Sequence, residues 1–131
     1  MSSDERLKKN IEPLSDADCA KCLEIEPVRY EWKDPTKPNK QVGFIAQQVR
    51  EHIPELVSLL PNPEMEEVLD DSGNVLIPHK HQLVLQQSDL VPYLLGVLKV
   101  QQKRIDRLEA LVERLVSRPV VAKWMAKSSP V

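Results

Sequence analysis

SDLVPYLLGVLKVQQKRIDRLEALVERLVSR, residues 88–118, decides the fold. With Val91 at heptad position a, the a/d set is Val91, Leu94, Leu98, Gln101, Ile105, Leu108, Val112 and Leu115. All but Gln101 are apolar, and the spacing alternates three and four residues. A 3.5-residue repeat kept up for about four heptads predicts a coiled-coil seam. Ser88 and Asp89 are good N-caps, Pro92 falls in the first turn where its missing N–H costs little, and Pro119 is expected to stop the helix after Arg118. Leu95, Val97 and Leu111 fall at e and g positions, which widens the stripe beyond what two strands need and pulls toward three strands or more. Gln101 is a single polar layer of the kind that fixes register. The same stripe also fits a helix packed on its own domain. No equal partner for this helix stands elsewhere in the chain, so a second and third copy are the expected partners.

Length and composition set the rest in proportion. Of 131 residues, about 30 belong to this helix, and the remainder is a small domain that gains from association. Net charge is −2, so no strong field toward nucleic acid or membrane is implied. Lys123, Trp124 and Lys127 in the tail are too few to predict nucleic-acid binding. No apolar run is long enough to span a bilayer, and no signal peptide is seen. The reading is residues 1–87 as a globular part, 88–118 as a trimerisation helix and 119–131 as a tail that packs along the coil or stays mobile.

The globular part reads as short elements. Ser2 or Ser3 can cap a first turn of helix. Ser15-Asp16 opens a short helix over 17–23. Val28, Tyr30 and Trp32 alternate with Arg29 and Glu31, which predicts a half-buried strand over 27–32. Residues 41–45 read as its antiparallel partner across a proline-rich loop. A helix follows from Ala46 to Glu51 or His52, ended by Pro54. Residues 56–60 and 78–87 are ambiguous, and 68–76 read as a small hairpin about Asp71-Ser72-Gly73-Asn74. The predicted class is α+β: short helices and β-hairpins, then a long C-terminal helix in a parallel trimeric coiled coil.

Cys19-Ala20-Lys21-Cys22, with His79 and His81, could supply four zinc donors. H-x-H is not the usual finger spacing and a lone C-x-x-C is weak, so two small, partly buried thiols on a helix are expected, with no metal and no cofactor. Two cysteines without a secretory signal point to a reducing compartment. Gln47-Gln48 and Gln86-Gln87 could mark hydrogen-bonded contacts between subunits, but at least half of them read as solvated polar faces.

Three stretches, taken in order, resemble a known family. They are Ser3-Asp4-Glu5-Arg6-Leu7-Lys8-Lys9-Asn10-Ile11; Pro27-Val28-Arg29-Tyr30-Glu31-Trp32 with Val42-Gly43-Phe44-Ile45-Ala46-Gln47-Gln48-Val49 and Pro54-Glu55-Leu56-Val57; and Leu90-Val91-Pro92-Tyr93-Leu94-Leu95. Together they resemble the C-terminal intramolecular chaperone domain, or S74 peptidase domain, of phage tail spikes, endosialidases and neck appendages. A related domain occurs in myelin regulatory factor. The resemblance spans residues 3 to 116. It implies a homotrimer that assists folding of an upstream fibre segment of its own precursor and then releases itself by a single-turnover cut. It further implies Ser3 as nucleophile, Lys8 as general base and Ser2–Ser3 as the scissile bond. The implied setting is the host cell cytoplasm during virion assembly, with release from the mature fibre after cleavage, and no nucleic-acid or membrane partner. Since only Met1-Ser2 precede Ser3, the expectation is a chain begun at the cleavage point or a released domain with a start residue added.

The chemistry is coherent by itself. A serine hydroxyl needs an adjacent base, and a lysine serves only where a dry or electropositive setting favours its neutral form. Arg6 and Lys9 lie nearby in sequence, and burial against a neighbouring copy would push further the same way. Without the resemblance, Ser3 reads as a helix cap and Lys8 as a solvated surface charge. The competing function is a trimerisation or adaptor module that never cleaves.

Overall fold

The computed structural model describes residues 2–128. Its elements are small until the last third of the chain. Asp4 opens a one-turn 3-10 helix, Glu5–Leu7, by accepting the Arg6 N–H. This corrects the expected capping by Ser2 or Ser3: the aspartate one residue on takes the role and leaves the Ser3 hydroxyl outside it. Ser15 caps α1 (Asp16–Ala20), which tightens into a 3-10 turn over Lys21–Glu24. β1 (Val28–Tyr30) and β2 (Gln41–Gly43) pair antiparallel, with Val28 opposite Gly43, and are shorter than the predicted strands. α2 covers Ala46–His52 as expected, and a proline-led turn over Pro54–Leu56 follows it.

The two ambiguous segments resolve each other. β3 (Val57–Pro61) pairs antiparallel with β6 (His81–Leu85), in register from Val57–Leu85 to Pro61–His81. Between them β4 (Val68–Leu69) and β5 (Val75–Ile77) form the expected small hairpin. Gly73 takes φ +84° in its turn, and the Asp70 carboxylate gathers the Ser72 and Asn74 N–H groups. The described residues thus carry three two-stranded antiparallel sheets.

A 3-10 turn at Gln87–Leu90 leads into α3 (Val91–Val116), with Pro92 in its first turn. Neither Ser88 nor Asp89 caps α3 through its side chain; the preceding 3-10 turn feeds the chain directly into the helix. α3 ends before Pro119, where Ser117 donates its N–H to Glu113 and its hydroxyl to the Arg114 carbonyl. Pro119 does not simply end structure, as expected, but opens α4 (Pro119–Ser128). Proline suits a first helical turn, and the two bent residues Ser117-Arg118 absorb the break.

The core lies where α1, α2 and the start of α3 meet. Val49 and Ile53 are fully buried, and Cys19, Cys22 and Ile25 surround them. α3 contributes Tyr93 and Val97, with Leu90 just ahead of it. Val97 was placed on the widened seam stripe by its heptad position. It is instead 9% exposed and packed in the chain's own core. Gly96 allows this approach, since a Cβ there would collide with the Cys19 side chain. α3 therefore has two apolar faces, an N-terminal one that anchors it and an exposed a/d stripe. No described helix is long and apolar enough to cross a membrane.

Candidate functional site

The one-turn helix at Glu5–Leu7 folds the chain back between Ser3 and Lys8. Lys8 leaves it extended and donates its N–H to the Glu5 carbonyl. Two residues later Asn10 takes φ +53°, a conformation asparagine tolerates better than most, and turns the chain away. Across this turn the Lys8 Nζ donates to the Ser3 Oγ at 2.7 Å. The two expected site residues, five apart in sequence, are thus in direct contact. Both are exposed, as is Ser2.

Asp4 and Arg6 form the other half of the arrangement. The Asp4 carboxylate accepts from Arg6 Nε at 3.1 Å and from Arg6 Nη2 at 2.7 Å, a fork-to-fork pair. The Arg6 guanidinium, bonded to the Asp4 carboxyl, holds it below the usual carboxylate range, and Asp4 raises Arg6 in turn. Arg6 was expected to press on Lys8 as a like charge. Its charge is instead spent largely on Asp4, one residue from the serine. Asp4 was missed as a site residue, although aspartate just ahead of a short turn is a standard capping signal.

The other residue groups lie elsewhere. The seam residues Val91, Leu94, Leu98, Gln101, Ile105, Leu108, Val112 and Leu115 are all exposed on α3, Leu108 at 59%. Leu95 and Leu111 are exposed beside them. Cys19 and Cys22 are both free thiols, and both are core residues. Burial pushes the Cys22 thiol upward, away from thiolate chemistry. Among the described residues no three histidine, cysteine or acidic side chains gather in a metal-holding group. Gln48 accepts the Glu26 N–H, a bond within the chain rather than a solvated face. Tyr93 donates to Glu55 from the core, which, after burial, helps raise its phenol above the ordinary range.

Residues 3–58 match the Peptidase_S74 family model, described as chaperone of endosialidase. These residues are similar to that chaperone family over somewhat less than half of the chain. The match begins at Ser3, the serine that Lys8 touches. A solved structure, described as a crystal structure of a novel intramolecular chaperon, is similar with a TM-score of 0.50 at 20% identity. The likeness covers 80% of this chain and 99% of that one. At that identity it speaks for the fold: a mixed small-element part followed by a long helix. No curated protein matches the chain. The matched segment takes in the Ser3–Lys8 turn, the β1–β2 hairpin and α2, and stops at the head of β3.

Proposed function

We propose that the chain is an intramolecular chaperone that trimerises through α3, assists folding of a fibre segment upstream of it, and frees itself by cutting the Ser2–Ser3 bond. The observation that carries this reading is the 2.7 Å contact between Lys8 Nζ and Ser3 Oγ, at the first residue of the family match.

In the proposed step neutral Lys8 takes the Ser3 hydroxyl proton as Oγ adds to the Ser2 carbonyl carbon, in its own chain or a neighbouring copy. The Ser2–Ser3 C–N bond then breaks, and Lys8 returns the proton to the departing Ser3 nitrogen. An ester between the Ser2 acyl group and Ser3 Oγ remains. Water hydrolyses it, leaving a carboxylate at residue 2 and a free Ser3. In one protomer both Ser3 and Lys8 are open to solvent. Assembly along α3 would dry the site, so cutting waits for the trimer.

The exposure of Ser3 and Lys8 in a single chain also fits the second reading, a trimerisation or adaptor module that stays attached. Intact mass spectrometry of a parent with its native upstream segment separates the two. Cleavage before Ser3 in the parent, lost in both Ser3→Ala and Lys8→Ala, is the expected result. An assembled parent left whole in all three forms would retire the peptidase and leave the adaptor.

A further inference from the structure

The turn that joins Ser3 to Lys8 holds a second charged pair that the proposed chemistry does not use. Asp4 stands between the two reacting residues in sequence, four positions before Lys8. A bare carboxylate there, at the other end of the same one-turn helix, would compete with the Ser3 hydroxyl for the lysine as a charged acceptor. It would also hold the lysine in its ammonium form. The charged groups around Lys8 on this segment are Asp4, Glu5, Arg6 and Lys9.

Arg6 takes up that carboxylate. Its guanidinium meets both Asp4 oxygens, at 3.1 Å from Nε and 2.7 Å from Nη2, while the Asp4 Oδ1 also caps the turn by accepting the Arg6 N–H at 2.9 Å. A planar fork outcompetes a point-charge ammonium for a carboxylate, because two parallel bonds form at once. The Lys8 Nζ donates to Ser3 Oγ instead.

We propose that Asp4 and Arg6 are positioning residues of the Ser3–Lys8 site, Asp4 holding the turn that brings Lys8 back to Ser3 and Arg6 sequestering the Asp4 carboxylate so that Lys8 stays on the serine. The proposal rests on the peptidase reading above. It separates two jobs that one aspartate does: the cap is needed and the charge is a hazard. Asparagine caps as well as aspartate and carries no charge, so it separates them experimentally.

Two experiments test this. The first follows the pH–rate profile of cleavage in the parent with its upstream segment. Arg6→Ala slows cutting by about two- to fivefold at neutral pH and displaces the profile to the alkaline side, as expected for release of one surface charge. Asp4→Ala slows cutting without displacing the profile. Adding Asp4→Asn to Arg6→Ala restores both rate and profile, which a purely structural arginine would not allow. Failure of that rescue, or an undisplaced profile in Arg6→Ala, overturns the proposal. The second needs no cleavage and uses the 131-residue chain. The Asp4 carboxyl titration is followed by NMR. With Arg6 present, Lys8→Ala leaves the Asp4 midpoint in place; in Arg6→Ala, adding Lys8→Ala raises it further. An Asp4 midpoint insensitive to Lys8 in both backgrounds overturns the proposal whether or not the parent cuts itself. An uncut parent with the predicted titrations overturns the peptidase reading and upholds the charge arrangement.

Discussion

Gly96 shows how tightly single residues are set. A Cβ there would run into the Cys19 side chain, whose own Cβ would lie 3.0 Å away. Alanine would gain about 1 kcal/mol of helix propensity over glycine. Overpacking between α1 and α3 costs about 1–3 kcal/mol and outweighs it in so close a contact. Gly96→Ala is therefore expected to lower the chemical denaturation midpoint, and Cys19→Ala added to it to recover part of the loss. Ile53, with no exposed surface, is the opposite case: Ile53→Ala should cost about 2–5 kcal/mol in the same measurement. At this scale the sequence offers Ser3 and Lys8 as candidates through a motif, and the geometry brings the two side chains into contact. It did not carry Asp4 or Gly96. Asp4 has two partners at once, and Gly96 is defined by a neighbour 77 positions away, at Cys19, which no local pattern encodes.

Among elements, α3 carries the argument. Its exposed apolar a/d stripe was legible because a 3.5 period repeats in the chain itself. Its second face was not, because Val97 fits the heptad frame equally well and only the position of α1 and α2 decides which neighbour it meets. The pairing of β3 with β6 was hidden for a related reason: neither run alternates cleanly, and a partner some twenty residues away supplies the strand character. α4 is not legible locally because a proline serves as a beginning of helices as well as an ending. The prediction at this scale is that Leu108→Asp loses the oligomer, since it would place one charge per strand in a single apolar layer. Sedimentation velocity checks it. An unchanged oligomer would mean that copies meet by some other face. Val97→Asp, by contrast, is expected to unfold the small part rather than merely separate copies, because Val97 belongs to the core.

The whole molecule has a pH signature with a definite sign. Burial raises the Cys22 thiol above its ordinary 9.0 and the Tyr93 phenol above its ordinary 10.0. Unfolding lets both ionise sooner than the folded chain does, so the unfolded state binds fewer protons across that window. Stability is then intact below about pH 9 and falls as pH rises through the raised values. Thermal unfolding from about pH 8 to about pH 11 should show the decline, and Cys22→Ala should lessen its first part. Placement of the core beside the root of α3 would join this stability to the proposed assembly: the residues that hold α1 and α2 together also hold the helix that carries the exposed a/d stripe.

That connection leads to the central claim, that Ser3 and Lys8 become competent only when α3 finds its copies. The most direct measurement is the intact mass of a parent with its native upstream segment and Leu108→Asp in the seam, beside the same parent unaltered. The account predicts a cut before Ser3 in the unaltered parent and a full-length product from the variant, which still folds but sediments as a single chain. A single-chain variant cut before Ser3 at the unaltered rate would contradict it, and would place the whole of the chemistry within one protomer.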